Sequence, residues 1–176
     1  MDPIAVRLNH LVVPIGIVLA IVSVLRRKEA IGGWLLFFFG QVYAGLFFAV
    51  LASVPIVAKA FAEQYLPQQS ASHALATVVL LRLIGHIILA VASTFLLQER
   101  NPIWVERLRF ALGALLLLNG LTLFVDRVYF PSAFVTNLLR WFGLVVWLIY
   151  LFVSARVRMV FFSKTWGETP PEKIFA

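Results

Sequence analysis

Two ionisable residues, Arg82 and His86, interrupt the apolar run from about Ala74 to Leu97. Residues four apart share one face of a helix, so the pair forms a single polar site. A charge at mid-span costs roughly 2.5–3.5 kcal/mol on insertion scales, which makes an intramembrane arginine a marker of a partner or a ligand. Arg82 lies about 12 Å from the outer end of its segment at 1.5 Å per residue, too deep to reach the interface comfortably. Asp126 near the end of the next apolar segment is the nearest counter-charge, with Glu63 in the preceding loop the other. Three chemistries follow: an Arg–Asp clamp pinning two helices, a headgroup site for a lipid or quinone, or a proton or ion path. His86 sits near mid-bilayer, where a ring nitrogen could ligate the metal of a haem or chlorophyll-type pigment. Bis-histidine ligation needs a second histidine at matching depth; His10 belongs to the outer edge of the first segment and His73 to a loop. A histidine hydrogen-bonded to a neighbouring helix is the expected state. Asn119 completes the expected buried polar cluster of Arg82, His86, Asp126 and Asn119, while Gln41 and Tyr43 are further polar groups at span depth that are expected to bond across helices.

Other chemistry finds little footing. The sequence contains no HExxH, GxSxG, GxGxxG or P-loop spacing and no cysteine, so zinc hydrolysis, acyl transfer, dinucleotide binding and thiol chemistry lack their residues. Asp126 beside Arg127 is a neutralised pair rather than a carboxylate dyad. Self-contained catalysis is therefore not expected, no metal site is assigned, and no resident cofactor is expected, although bound lipid is.

The elements that must position these residues are membrane helices. Of 176 residues, 62% are hydrophobic and 13% charged, against about 45–50% and 25% in soluble domains. A soluble fold of this size could not hide that surface. Five stretches approach the roughly 20 apolar residues that a crossing requires: about 4–25, 34–58, 74–97, 103–125 and 133–153. Open strands cannot cross lipid and no barrel alternation occurs, so the reading is all-α. The first stretch lacks a basic leader and is followed by Arg26, Arg27 and Lys28, unlike a cleaved signal. It is the weakest of the five, with Arg7, Asn9, His10 and Pro14 in its opening turns.

The net charge of +7 is distributed as topology requires. Basic residues alternate along the chain as 1, 3, 1, 3, 1 and 4 when the end-turn residues Arg7, Arg107 and Arg109 are counted with the segments they adjoin. Because cytoplasmic segments collect Lys and Arg, this alternation predicts five helices with the N-terminus outside and the C-terminus in the cytoplasm. A four-helix arrangement, with the first segment on the surface, would place the N-terminus inside beside its own basic loop. No basic stripe with interleaved aromatics exists, so nucleic acid is not expected as a partner. Residues 1–163 form one transmembrane domain in this reading, followed by a polar tail, 164–176, carrying Pro170 and Pro171. The loop 59–73, with Pro67, Gln68, Gln69 and Ser70, is expected to be irregular. Gly40, Gly45, Gly113, Gly120, Ser93 and Gly143 read as small residues for close helix contact.

Three short runs resemble a known family. They are Gly32-Gly33-Trp34-Leu35-Leu36 after a basic segment, Leu83-Ile84-Gly85 followed by Ile87-Ile88-Leu89, and Trp147-Leu148-Ile149-Tyr150-Leu151 followed by Ser154-Ala155-Arg156-Val157-Arg158. Together, over about Ile31 to Phe162, they are similar to the YdgK-like bacterial inner-membrane proteins (domain of unknown function 2569). The resemblance implies a four-helix bundle with the first segment added in front, and location in a bacterial inner membrane. At the polar positions of the third helix the resemblance implies an acid and an amide, where this chain carries Arg82 and His86. It implies no chemistry.

The expected function is that of a non-catalytic accessory subunit, stabilising or bridging larger subunits of an inner-membrane complex such as a respiratory or photosynthetic assembly. Trp34, Phe38, Phe47 and Trp166 are the candidate contacts with lipids and partner subunits, because the aromatics of the second helix nearly encircle it. The rival is a small cofactor-binding or solute-handling protein built on Arg82, His86 and Asp126.

Overall fold

A computed structural model describes the backbone of residues 3–62, 70–129 and 131–164, and side-chain surroundings for 14–51, 53–58, 76–125, 127–128, 131 and 134–164. The described residues are helical with no strand: α1 (Pro3–Leu25), α2 (Gly33–Ala62), α3 (Ser70–Glu99), α4 (Pro102–Tyr129), α5 (Pro131–Val153) and a short α6 (Ala155–Val157) that runs into a π-helical turn, Arg158–Phe162. Stretches in α2, α3, α4 and α5 (Gly33–Ala58, Ala76–Glu99, Pro102–Val125 and Phe134–Val153) are long and apolar enough to cross a membrane, as in a multi-pass membrane protein. The described apolar part of α1, Pro14–Leu25, is shorter than a crossing.

Helix ends depart from the sequence reading in one direction. α2 runs on to Ala62 and α3 starts at Ser70, so much of the expected irregular loop, His73 included, has helical backbone. Polar residues do not stop a helix that has left the hydrocarbon, because water satisfies its backbone as well as a turn does. The α3–α4 connection is instead very tight. Arg100 adopts φ 49°, and the Asn101 side-chain carbonyl accepts the Ile103 N–H at 3.0 Å. Asn before a proline at the first helical position is an efficient helix start. Arg107 and Arg109, counted above with this connection, lie in the first turns of α4.

Each helix packs chiefly on its neighbour in sequence: α1 on α2, α2 on α3, α3 on α4 and α4 on α5. A glycine sits at every one of these joints. Gly40 lies under Leu19 of α1, Gly45 under the His86 ring, Gly85 under Leu115, and Gly120 under the Trp141 indole. In lipid there is no hydrophobic gain in bringing two apolar helices together, so association depends on close contact, which small residues permit. Gly113 and Gly143, expected to serve the same purpose, have nothing within 4 Å and are not packing positions. The core gathers between α2, α3 and α4 around Leu35, Phe38, Leu96, Leu108 and Leu112, closed at one end by Val157 and Phe161.

α5 is joined differently. Only 6% of its span is buried, against 22–28% for the other three. It reaches α2 through Trp147, whose indole N–H donates to the Gln41 side-chain oxygen at 2.7 Å and whose ring meets Phe38 at 5.2 Å.

The glycine joints generate a paired expectation. A Cβ at Gly85 would stand 2.5 Å from Leu115 Cδ1, and Leu115 is only 2% exposed and has nowhere to go. Gly85→Ala should therefore destabilise the bundle by about 1–3 kcal/mol. Gly113→Ala meets open space and should stabilise it by about 0.5–1 kcal/mol through helix propensity alone. Thermal unfolding in detergent measures both; equal losses would show that Gly85 is not a contact point.

Candidate functional site

Arg82 projects from α3 towards α4, where its Nε donates to the Thr122 hydroxyl at 3.1 Å and its Nη2 donates to the same oxygen. The Thr122 proton goes to the Asn119 carbonyl at 2.9 Å, which leaves the oxygen's lone pairs for the guanidinium. The arginine thus joins α3 to α4 through a threonine, a partner other than the aspartate of the expected Arg–Asp clamp. Thr122, only 6% exposed, was not picked out from the sequence; a threonine seven residues from the end of an apolar helix carries no signal without the arginine opposite. The side chain of Asp126, the expected partner, lies outside the described residues, as does Glu63.

His86 does not bond a neighbouring helix. Its Nδ1 donates to the Arg82 carbonyl at 2.7 Å, four residues back in its own helix. A carbonyl can only accept, so Nδ1 carries a proton. That edge of the ring rests over Gly45, with Cδ2 3.4 Å and Nε2 3.6 Å from where a Cβ would stand. Asn119 likewise turns to its own helix, donating to the Leu115 carbonyl at 2.8 Å. Among the described residues, the expected cluster is therefore a chain of bonds along α3 and α4, bridged by Arg82. The cross-helix bonds expected of Gln41 and Tyr43 are present, to Trp147 and to Thr94 at 2.8 Å. Ser93 is fully buried in α3, and its hydroxyl has no hydrogen-bond partner among the described residues.

Among the aromatics named as contact candidates, Trp34 and Phe47 are exposed, at 66% and 55%. Phe38 is 1% exposed and belongs to the chain's own core, packed on Phe39 and Trp147; it offers nothing to a partner. Trp166 and the tail beyond Lys164 lie outside the described residues. So do the side chains of His10 and His73. Among the described residues no group of three His, Asp or Glu side chains is placed to hold a metal ion.

A second polar joint forms at the other end of the bundle, where α5 gives way to α6. The Ser154 hydroxyl caps α6 by accepting the Val157 N–H. The capped turn aims Arg156 at the α1–α2 connection. One guanidinium nitrogen donates to the Gly32 carbonyl and the other to the Arg27 carbonyl at 2.6 Å. Burial pulls the Arg156 pKa below the usual arginine value and nearby Tyr150 opposes that shift. Two glycines make the joint: a Cβ on Gly32 would collide with the Arg26 carbonyl, and one on Gly33 (φ 55°) would come within 2.5 Å of Arg156 Nη1. Close by, Arg109 donates to the Leu151 carbonyl at 2.7 Å and rests 4.4 Å from the Phe152 ring centre, finishing α5. A cleft of about 320 Å³ at this end is lined by Ala30, Gln98, Glu99, Arg100, Val160 and Lys164.

No family model, curated protein or solved structure matches the chain.

Removing the Arg156 guanidinium should loosen the α1–α2 connection. Hydrogen bonds from a charged donor contribute about 1.5–3 kcal/mol, so Arg156→Ala should speed tryptic nicking at Arg26, Arg27 and Lys28 roughly ten- to a hundredfold in detergent. Gly33→Ala should act in the same direction. An unchanged nicking rate in both variants would mean that the joint does not hold this segment closed.

Proposed function

We propose that this chain is a five-span protein of a bacterial inner membrane, N-terminus outside and C-terminus in the cytoplasm, serving as a non-catalytic accessory subunit that packs against larger partners in that membrane. The observation that carries the reading is the way polar and apolar groups are divided. Within the spans, Arg82, Tyr43, Gln41, Trp141 and Trp147 are engaged in bonds that join one helix of the bundle to another. Outward, α5 presents Leu139, Phe142, Val146 and Ile149, all more than half exposed. A transporter needs polar groups facing a path, and a catalyst needs them facing a substrate; here these five groups, unlike Arg140 on the outer face of α5, face the bundle's own helices.

Orientation is supported by the clustering of Arg26, Arg27, Lys28, Arg100, Arg107, Arg109, Arg156 and Arg158 towards one end of the antiparallel bundle, as a cytoplasmic end collects them. Membership of the YdgK-like family belongs to the same proposal. Its support is that two of the runs on which the likeness rests, Gly32-Gly33 and Ser154 to Arg158, meet in one joint through Arg156.

Purification of the untagged protein from native membranes in mild detergent, followed by native mass spectrometry and a visible absorption spectrum, tests the reading. The expected result is a defined complex well above the 19.8 kDa of the chain, containing other membrane subunits and leaving this chain colourless. A homogeneous monomer or homo-oligomer would overturn it. A pigment band on that species would move the assignment to His86, and a blank spectrum to solute handling near Arg82.

A further inference from the structure

The end of the bundle where α4 turns into α5 carries an excess of positive charge inside the apolar span. From residue 76 to 153, the guanidiniums at this end are Arg82, Arg127 and Arg140, and the carboxylate is Asp126. Inside the spans themselves this end holds Arg82 and Arg140 and no carboxylate. Arg127 stands at the mouth, 6.0 Å from the Phe134 ring centre. Arg82 is engaged at Thr122. Arg140 is the residue out of place: it lies within the span Phe134–Val153, is exposed on the bundle surface, and makes no hydrogen bond or ion pair among the described residues. α4, which packs on both α3 and α5, brings Arg140 within repulsive reach of Arg82. A guanidinium on the outer face of a span, with no partner among the described residues, calls for an anion beside it.

We propose that Arg140 binds the phosphodiester of a membrane phospholipid. The depth fits. Arg140 is six residues from Phe134, about 9 Å along the helix, so its long side chain can run up α5 to the phosphate layer while its stem stays in hydrocarbon. The chemistry fits as well, since a planar guanidinium takes two phosphate oxygens at once. Leu139, Phe142 and Val146, exposed on the same helix and extending towards mid-bilayer, provide an apolar seat for an acyl chain. A carboxylate on a transmembrane partner is the competing occupant. The observations favour the lipid, because a charge near the span margin meets phosphates in every membrane. The inference does not depend on the accessory-subunit reading.

The test uses the full-length chain, delipidated in detergent, with added dioleoyl phosphatidylglycerol. Binding is read by native mass spectrometry and by the rise in melting temperature, which any ligand of the folded state produces. Phosphatidylglycerol should bind the native chain at least tenfold more tightly than dioleoylglycerol, which has the same acyl chains and no phosphate. Arg140→Gln should remove that preference and the melting shift without lowering the lipid-free melting temperature. If Arg140→Gln does not fold, Arg140→Lys carries the test: keeping the charge but not the fork, it should bind phosphatidylglycerol at least threefold more weakly. Equal binding of the two lipids, or undiminished phosphatidylglycerol binding by the folded variants, would overturn the proposal. So would two further outcomes: inorganic phosphate alone reproducing the melting shift, which would mark a solute anion site, or Arg140→Gln losing a co-purifying protein while keeping its lipid.

Discussion

Backbone closeness is the constraint on which this structure rests. Helices surrounded by hydrocarbon gain no hydrophobic free energy by touching, so contact must come from dispersion and from the few hydrogen bonds that can reach across. Both need short distances. At Gly40, Gly45, Gly85 and Gly120 the missing side chain lets a Leu, His or Trp of the next helix sit directly on the backbone. The polar bonds follow from that approach. Arg82 reaches the Thr122 hydroxyl because Gly85, one turn along α3, has already drawn α4 in at Leu115. Trp141 reaches the Leu116 carbonyl at 3.0 Å because Gly120 leaves room for the indole. A larger residue at either glycine would act first on packing and then, through it, on the polar bond.

The two ends of the bundle answer the same constraint with different means. At the end carrying Arg156, the chain runs in water-accessible connections, and backbone carbonyls of the α1–α2 turn are available as acceptors. A single guanidinium there spans Gly32 and Arg27, tying α1 and α2 to the end of α5 through two main-chain oxygens. At the Arg82 end the arginine lies inside a span, and the acceptor it meets across the helix joint is a side chain. Thr122 fills that role because its own proton is spent on Asn119. Each arginine sits where the available acceptor permits.

How much of this was legible in the sequence follows from the range of each force. Helix identity was legible, because long apolar runs admit no other structure in lipid; α2 to α5 lie where hydropathy placed them. The choice of Arg82 as a bridging residue was legible too, since a mid-span charge must be met. Its acceptor was not: Thr122 is forty residues away in sequence, and only the α3–α4 register brings it opposite. His86 and Asn119 were expected to reach across helices and instead bond their own, to Arg82 and Leu115. A side chain four residues beyond a carbonyl finds that acceptor without any tertiary structure, and a sequence cannot say which competitor is closer. Phe38 was misplaced for a related reason. In a helix that is aromatic on most sides, the residue types do not reveal which ring turns inward; contact with Trp147 decides it.

α5 shows what happens when the backbone constraint is relaxed. It has one close-approach glycine beneath it, at Gly120, and little buried surface. Its attachments are therefore long side chains: Trp141 to α4, Trp147 to α2, and Arg109 of α4 reaching the Leu151 carbonyl in its last turn. Indole and guanidinium groups bridge gaps that methyl groups cannot, and each is directional, so they fix the helix's rotation more than they bury its area. That rotation is what turns Leu139, Phe142 and Val146 outward together with Arg140. A helix held by a few polar contacts and bare along most of its length has free energy still to gain from whatever lies against it. Tight lipid or a second subunit would supply the contacts that α1 to α4 already supply to one another.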